Sequence, residues 1–328
     1  MKGLLEALGP VARLGTDGGV VLEPSDERGL TDALHVLADQ GARLHRDATL
    51  SRAKLTDVGH VQTKSMTVDV GAGVVLQHLE DRLRTFGLSV GPLSPAAMHL
   101  TLAEYLEGPY AGLRAIPGGR LEPLCTKLFA VLPDGRRLET SDAPRSAAGP
   151  DLSALVLGGH GRLGLVTRAR VRCYPLPEAD VRATFSLPSP AAFVTALTRA
   201  IADGLWPWRV HVDPRSGRVV AEVRWAGTAH GVERDRELLA RCVDAVGGRP
   251  SGDTEREGPV SVEHESTWDA VRKGLEAGHA LQLFRLSLGT VVARGEVGGM
   301  PLDEAGPWTS LAGRLLALDP KAVLGGFP

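Results

Sequence analysis

The sequence predicts an α+β protein of two domains, and three observations carry that expectation. Apolar residues recur at helical spacing in some segments and alternate at strand spacing in others, along the whole chain. The second half reads strand, helix, strand, strand, helix, strand, the split βαβ order of ferredoxin-like units. Between the halves, Pro175-Leu176-Pro177 interrupts both periods and marks a domain boundary.

In chain order, Val20-Val21-Leu22 reads as a short strand ending at Pro24. Leu30, Ala33, Leu34, Leu37 and Ala38 then mark one helix face, with Ser25 or Asp26 as N-cap and Gly41 as stop. Residues 42–64 show no period and read as an irregular connection. Met66 to Val70 alternates as a strand that ends at Gly71-Ala72-Gly73. Leu76, Leu79, Leu83 and Phe86 form a second helix face before Gly87, with Glu80 and Arg84 paired on the wet side. Residues 91–119 are loop-rich. Residues 124–132 form a strand, turned by Pro133-Asp134-Gly135-Arg136, in which Pro presets φ and Gly takes a positive φ. Arg137 to Thr140 returns as a hairpin, Asp151 to Leu157 is a short helical or extended piece, and Leu165 to Cys173 alternates as a half-buried strand.

In the second half, residues 181–187 form a strand, and Ser189-Pro190 caps a helix running to about 203. Strands follow at 208–213 and 218–225, then a helix with Leu239, Cys242, Val243 and Val246 on one face. Residues 248–260 read as loop, 281–288 and 290–297 as strands, and 308–318 as a closing helix ending at Asp319-Pro320.

Composition narrows the function. Lys+Arg 37 against Asp+Glu 39 gives a net charge of −2, which argues against a dedicated nucleic-acid binder. Aromatics at 4% argue against a base-stacking surface. The 40 glycines, in a chain of 328 residues, point to many tight backbone positions. Cys125, Cys173 and Cys242 stand apart without C-x-x-C, so neither disulfide framework nor zinc knuckle is expected, and a reducing cytoplasm fits. The N-terminal apolar stretch, broken by Glu6 and Pro10, is too weak for a secretory signal, and no membrane span is expected.

Gly159-His160-Gly161-Arg162-Leu163-Gly164 is a literal G-x-G-x-x-G. A dinucleotide fingerprint needs a helix after it, because the pyrophosphate sits on that helix N-terminus. Here a strand follows, so the motif reads as a glycine turn feeding a strand. No H-x-x-x-H with an acid occurs, so no zinc site is expected, and no nucleophile elbow or P-loop is present. Arg168, Arg170 and Arg172 read as a solvated strand face, with an anion-facing stripe as the alternative. Trp206-Pro207-Trp208 reads as core or interface packing, and His264-Glu265 as a solvated loop or a substrate contact.

Read together, three stretches resemble the FAD-binding domain of the vanillyl-alcohol-oxidase/p-cresol-methylhydroxylase type. They are Leu132-Pro133-Asp134-Gly135-Arg136, Pro144 to Leu152 (PRSAAGPDL), and Leu157 to Thr167 (LGGHGRLGLVT). The resemblance is nearest to the alkyldihydroxyacetonephosphate synthase and glycolate oxidase FAD-subunit group. Val21 to Glu27, Val68 to Val74 and Leu315 to Leu324 support it. It implies a two-lobed p-cresol-methylhydroxylase (PCMH)-type FAD-binding domain over 1–178, a ferredoxin-like cap over 179–300, and a final helix over 301–328 returning to the first domain.

The resemblance also implies the cofactor contacts. Pro95, Ala96, Ala97, Met98, His99, Leu100 and Thr101 would line the flavin, and Gly108, Pro109, Tyr110 and Ala111 would continue that wall. His160, Gly161, Arg162, Leu163, Gly164, Leu165 and Val166 would hold the adenosine end through backbone groups. A pyrophosphate loop would lie in 45–52, where the family has glycines whose N–H groups converge on phosphate. This chain departs there: Leu44 to Ser51 holds no glycine and places Asp47 at the loop. It departs again at Ala103-Glu104, where the family has two glycines, and at His160, where it has Glu. The departures imply FAD held weakly or lost. His45, His99 and His160 read either as loop histidines or as a base near the flavin.

The expected function is an FAD-dependent oxidoreductase acting on a small hydroxy acid, alcohol or related substrate. It would be cytoplasmic, with a heteromeric partner such as an iron–sulfur subunit. The alternative is a flavin-free, non-catalytic relative serving as a subunit or binding module.

Overall fold

In the computed structural model, the residues described are 2–44, 46–91, 93, 95–108, 110, 112–116, 120–142, 151–215, 217–252, 263–284, 286, 288–289, 291–294 and 300–301. They divide into two units. One is drawn from Met1–Arg114 and Pro123–Pro175, the other from Ala115–Glu122 and Leu176–Ala305.

The first unit opens with α1 (Lys2–Leu8), β1 (Ala12–Leu14) and β2 (Val20–Leu22), the strands pairing antiparallel. In α2 (Glu27–Asp39), the Asp26 carboxylate accepts the Gly29 N–H at 2.8 Å, which satisfies one of the helix's open donors. Its apolar face (Leu30, Ala33, Leu34, Leu37) is buried with Leu8, Val20, Leu22, Leu44 and Ala48. Gly41, at φ +62°, ends the helix as the sequence predicts. The structure corrects the irregular reading of 42–64, because β3 (Ala48–Leu50) pairs in parallel with β2. Three residues cannot display a period; only their distant partner makes them a strand.

β4 (Thr67–Gly71), α3 (Leu76–Arg84), β5 (Leu88–Ser89), α4 (Pro95–Met98) and α5 (Leu102–Glu107) follow. β6 (Leu113–Ile116) and β7 (Arg120–Pro123), which lie mostly in the Ala115–Glu122 piece of the second unit, pair as a ribbon. β8 (Cys125–Val131), β9 (Arg137–Glu139), β10 (Leu165–Arg172) and β11 (Tyr174–Pro175) complete the set. β4, β10, β8 and β9 form an antiparallel sheet in that order, and β5 pairs with β11. The turn at Gly135 takes φ +82°, and Leu152–Leu155 is a single 3₁₀ turn. Two details differ from the sequence reading. Phe86 lies beyond α3 and is exposed. Glu80 is buried, accepting from Ser89 Oγ and the Val90 N–H at 2.9 Å each while pairing with Arg84.

The second unit contains β12 (Ala179–Leu187), α6 (Pro190–Ala202), β13 (Arg209–Arg215), β14 (Arg218–Gly227), α7 (Ala229–Asp244) and β15 (Arg249–Ser251). Their sheet order, β15-β12-β14-β13, is the ferredoxin-like arrangement. Ser189 Oγ accepts the Ala192 N–H, with Pro190 opening α6 as predicted. Phe193 and Leu197 of α6, and Leu239, Cys242 and Val243 of α7, share one core with Val210, Val223 and Trp225 of the sheet. The sheet continues beyond β13 through β16 (Glu263–Ser266), α8 (Trp268–Glu276), β17 (Leu281–Phe284), β18 (Val291–Arg294) and β19 (Met300–Pro301). Two readings are corrected: 248–260 contains β15, and His264-Glu265 belongs to β16, immediately before α8, not to a loop. Residues 143–150 and the closing helix expected at 308–318 lie outside the described residues. All three cysteines are buried and outside any disulfide.

Candidate functional site

The site grows from two glycines at the end of β4. A Cβ on Gly71 would fall 2.2 Å from the Leu55 carbonyl oxygen, and one on Gly73 would fall 1.9 Å from that of Arg52. Only bare backbone fits there. The 52–57 segment therefore lies against the strand end, held by Gly73 N–H to Leu55 O (2.9 Å) and Gly71 N–H to Asp57 O (2.8 Å). This close approach places Arg52.

The facing wall is α5. The sequence reading has 91–119 loop-rich, and the structure corrects it. Thr101 Oγ1 accepts the Glu104 N–H, and the Glu104 carboxylate accepts from the Thr101 N–H at 2.7 Å and its hydroxyl at 2.8 Å. This capping box explains Ala103-Glu104, where close approach to a cofactor would call for glycine. Thr101→Ala is expected to cost about 1 kcal/mol, read as a lower thermal midpoint.

At its other end α5 carries Glu107, with a side chain 8% exposed. Arg52 Nη2 donates to both Glu107 oxygens, at 2.5 and 2.8 Å, and Arg52 Nε donates to the Val166 carbonyl at 3.1 Å. The Val166 N–H donates to Glu107 Oε1 at 2.6 Å. Val166 has these groups to offer because β4 pairs with β10 only from Arg168 onward, and the β8 register shifts between Val166 and Arg168. Burial pushes the Glu107 carboxyl above its ordinary range, while Arg52 and the Val166 N–H oppose the rise.

The glycine turn docks on the same helix end. Gly158 N–H donates to Leu106 O at 2.9 Å, and His160 N–H donates to Glu107 O at 2.8 Å, satisfying two terminal helix carbonyls. Gly158 and Gly161 both sit at φ +71°, and exposed His160 adopts +51°, a conformation histidine tolerates better than most side chains. Leu163, Leu165 and Val166 are core residues, with Gly161 and Gly164 buried beside them and Arg162 half-buried.

The other expected wall residues lie toward the N-terminal end of α5. Pro95, Ala96, Ala97 and Met98 form α4, with Ala97 buried and Ala96 and Met98 half-buried. His99 is exposed; the Leu100 carbonyl accepts the Leu76 N–H at 2.9 Å. Gly108 ends α5, and buried Tyr110 stacks on Tyr105 with centroids 5.0 Å apart. Pro109, Ala111 and His45 lie outside the described residues. Sequence reasoning missed Arg52 and Glu107. The available signal was a carboxylate four residues after Ala103, on the buried side of a short apolar helix.

Of the residues aligned with a pyrophosphate loop, Arg46 and Asp47 form a turn and Ala48–Leu50 is β3. Asp47 accepts the Arg43 N–H at 2.7 Å and pairs with Arg46, which holds its carboxyl below the usual range. The N–H groups of Arg43, Asp47, Ala48, Ser51, Ala53 and Leu55 all donate within the chain. In this arrangement the adenosine and diphosphate end does not fit FAD. Those six N–H groups are already committed within the chain, and the backbone edge of Val166 is already taken.

On the open face of the β4–β10 sheet, a cleft of about 590 Å³ is lined by His60, Gln62, Thr126 and the Asp69–Arg170–Asp142 ion group, among others. Arg168 lies over the Phe129 ring at 4.0 Å. Arg170 holds the Asp69 carboxyl below its usual range. A depressed carboxyl stabilises the fold above its unfolded pKa, and that stability is lost as pH falls through the folded value. Asp69→Asn is therefore expected to cost about 1 kcal/mol or less at pH 7, the pair being partly solvated, and to cost nothing in strong acid. Urea midpoints at the two pH values check this.

No family model matches the chain. Among curated proteins, an alkyldihydroxyacetonephosphate synthase from Caenorhabditis elegans is 27% identical over 141 residues, 43% of this chain and 24% of that protein. A probable mitochondrial D-lactate dehydrogenase from Danio rerio is 31% identical over 159 residues, 47% of this chain and 32% of that protein. The matched stretch thus spans less than a third of either relative's length. Among solved structures, an alkyldihydroxyacetonephosphate synthase superposes with TM-score 0.74 at 14% identity, covering 94% of this chain and 76% of the other. Substrate-bound p-cresol methylhydroxylase superposes with TM-score 0.65 at 11% identity, covering 99% and 92%. A glucooligosaccharide oxidase from Acremonium strictum, described with its FAD, superposes with TM-score 0.57 at 10% identity, covering 91% and 78%. The chain has the PCMH-type fold, and its homologues and structural neighbours are FAD-linked oxidases of that type.

Proposed function

We propose that the chain is an FAD-linked oxidoreductase acting on a small hydroxy acid, alcohol or related substrate. The observation that carries this reading is the convergence of the sequence and fold comparisons on one kind of flavin-dependent enzyme. The FAD-type domain is assigned to 1–178, the cap to 179–300 and the closing segment to 301–328. Residues 95–101 and 108–111 are assigned to the flavin wall, and 160–166 to the adenosine end. FAD, when bound, supplies the hydride chemistry; the chain supplies binding and position.

A separate electron-accepting subunit, such as an iron–sulfur protein, and a cytoplasmic location complete the reading. No helix among the described residues is long and apolar enough to cross a membrane. The visible spectrum of the purified protein, before and after excess FAD, tests the proposal. A shift of the flavin bands when FAD is mixed with the protein is expected. A colourless protein that ignores excess FAD overturns it.

A further inference from the structure

Val166 presents one backbone donor and one acceptor near the start of β10, before the pairing with β4 begins at Arg168. Unsatisfied, such a buried pair would be costly. Arg52 and Glu107 satisfy it as a unit: the guanidinium donates to the carbonyl and the carboxylate accepts from the N–H. An adenine edge carries the same couple, an amino donor beside a ring-nitrogen acceptor. Two side chains of this protein therefore present the hydrogen-bonding pattern of the nucleobase expected at that edge.

We propose that the Arg52–Glu107 pair is an internal competitor for the adenine of the cofactor, so that FAD enters only by displacing it and is held as a dissociable coenzyme. This rests on the FAD-linked reading above. A second observation agrees with it. In the 43–55 segment the N–H groups of Arg43, Asp47, Ala48, Ser51, Ala53 and Leu55 already donate within the chain and are not free to hold a diphosphate that would offset that displacement. Gly161 packs the glycine turn directly over the pair: a Cβ there would lie 3.2 Å from Glu107 Oε2. The turn that would accept the cofactor's adenosine is thus closed onto the carboxylate that imitates it.

The test is a fluorescence titration of FAD, ADP and FMN against the full-length wild type and two variants. Arg52→Ala/Glu107→Ala removes both charges together, leaving neither buried alone. Glu107→Gln keeps an acceptor for the Val166 N–H and serves if the double variant does not fold, as judged by far-UV circular dichroism. The double variant should bind FAD and ADP at least about tenfold more tightly than wild type, from the hydrogen bonds released to the ligand. Glu107→Gln should show a smaller gain in the same direction. FMN, which lacks adenine, should bind all three proteins equally. FAD binding of equal strength in wild type and variants overturns the competitor alone. A gain shared by FMN also overturns it, because the effect would then not be at the adenine. Failure of every folded protein to bind FAD overturns the competitor together with the flavin reading.

Discussion

Gly73→Ala is expected to prevent native packing of the first unit. The added Cβ would sit 1.9 Å from the Arg52 carbonyl oxygen, which belongs to the backbone and cannot rotate away. Either β4 or the 52–57 segment must shift, and that segment carries Arg52. The expected loss exceeds about 4 kcal/mol, the range reserved for a few severe mechanisms. It would appear as insoluble expression or loss of the cooperative thermal transition. Gly3→Ala is the matched control. It lies in α1 with nothing within 4 Å of its would-be Cβ, so it should be neutral or slightly stabilising. Equal behaviour of the two variants would show that the close approach at Gly73 is not structural.

Glu107→Ala is expected to cost about 3 kcal/mol, because it leaves the half-buried Arg52 guanidinium, 14% exposed, without its carboxylate. The Val166 N–H loses its acceptor in the same step. Arg52→Ala/Glu107→Ala should be markedly less destabilised than the sum of its single variants, since the charges fall together. A double-mutant cycle on urea midpoints reads this coupling, and additivity within experimental error would contradict it. The pH sign follows from burial. Glu107 has a raised folded-state pKa, so its contribution to stability is fullest below the ordinary glutamate range and declines as pH rises through the folded value. Wild type should therefore lose ground to Glu107→Gln as pH is raised from that range, opposite to the trend expected at Asp69.

These effects fall on residues that give little local signal, whereas much of the scaffold does. Asp26 before α2, Ser189-Pro190 before α6, Gly41 after α2 and the Pro133–Arg136 turn each act on their own neighbourhood. A side-chain oxygen reaches an N–H three residues on, a ring presets φ, or a missing Cβ permits a positive φ. Such features are visible in the order of residues alone. The alternation of Leu165 to Cys173 likewise foretold a strand after the glycine turn, which separated it from a dinucleotide fingerprint. The capping box Thr101-x-x-Glu104 is equally local: the carboxylate that stands where the family has glycine also caps α5.

By itself, the sequence determined the local frame: which segments turn, cap, alternate or coil, and a flavin-oxidase resemblance concentrated around residues 132–178. Only the tertiary structure decided that β3 and β15 are strands, because pieces of three residues acquire their state from distant partners through long-range pairing. It alone decided that Arg52, Glu107 and Val166 meet, across sequence separations of 55 and 59 residues. The reason is physical. A buried charge is tolerated only where a counter-charge and backbone partners converge in space, and no linear spacing records that convergence.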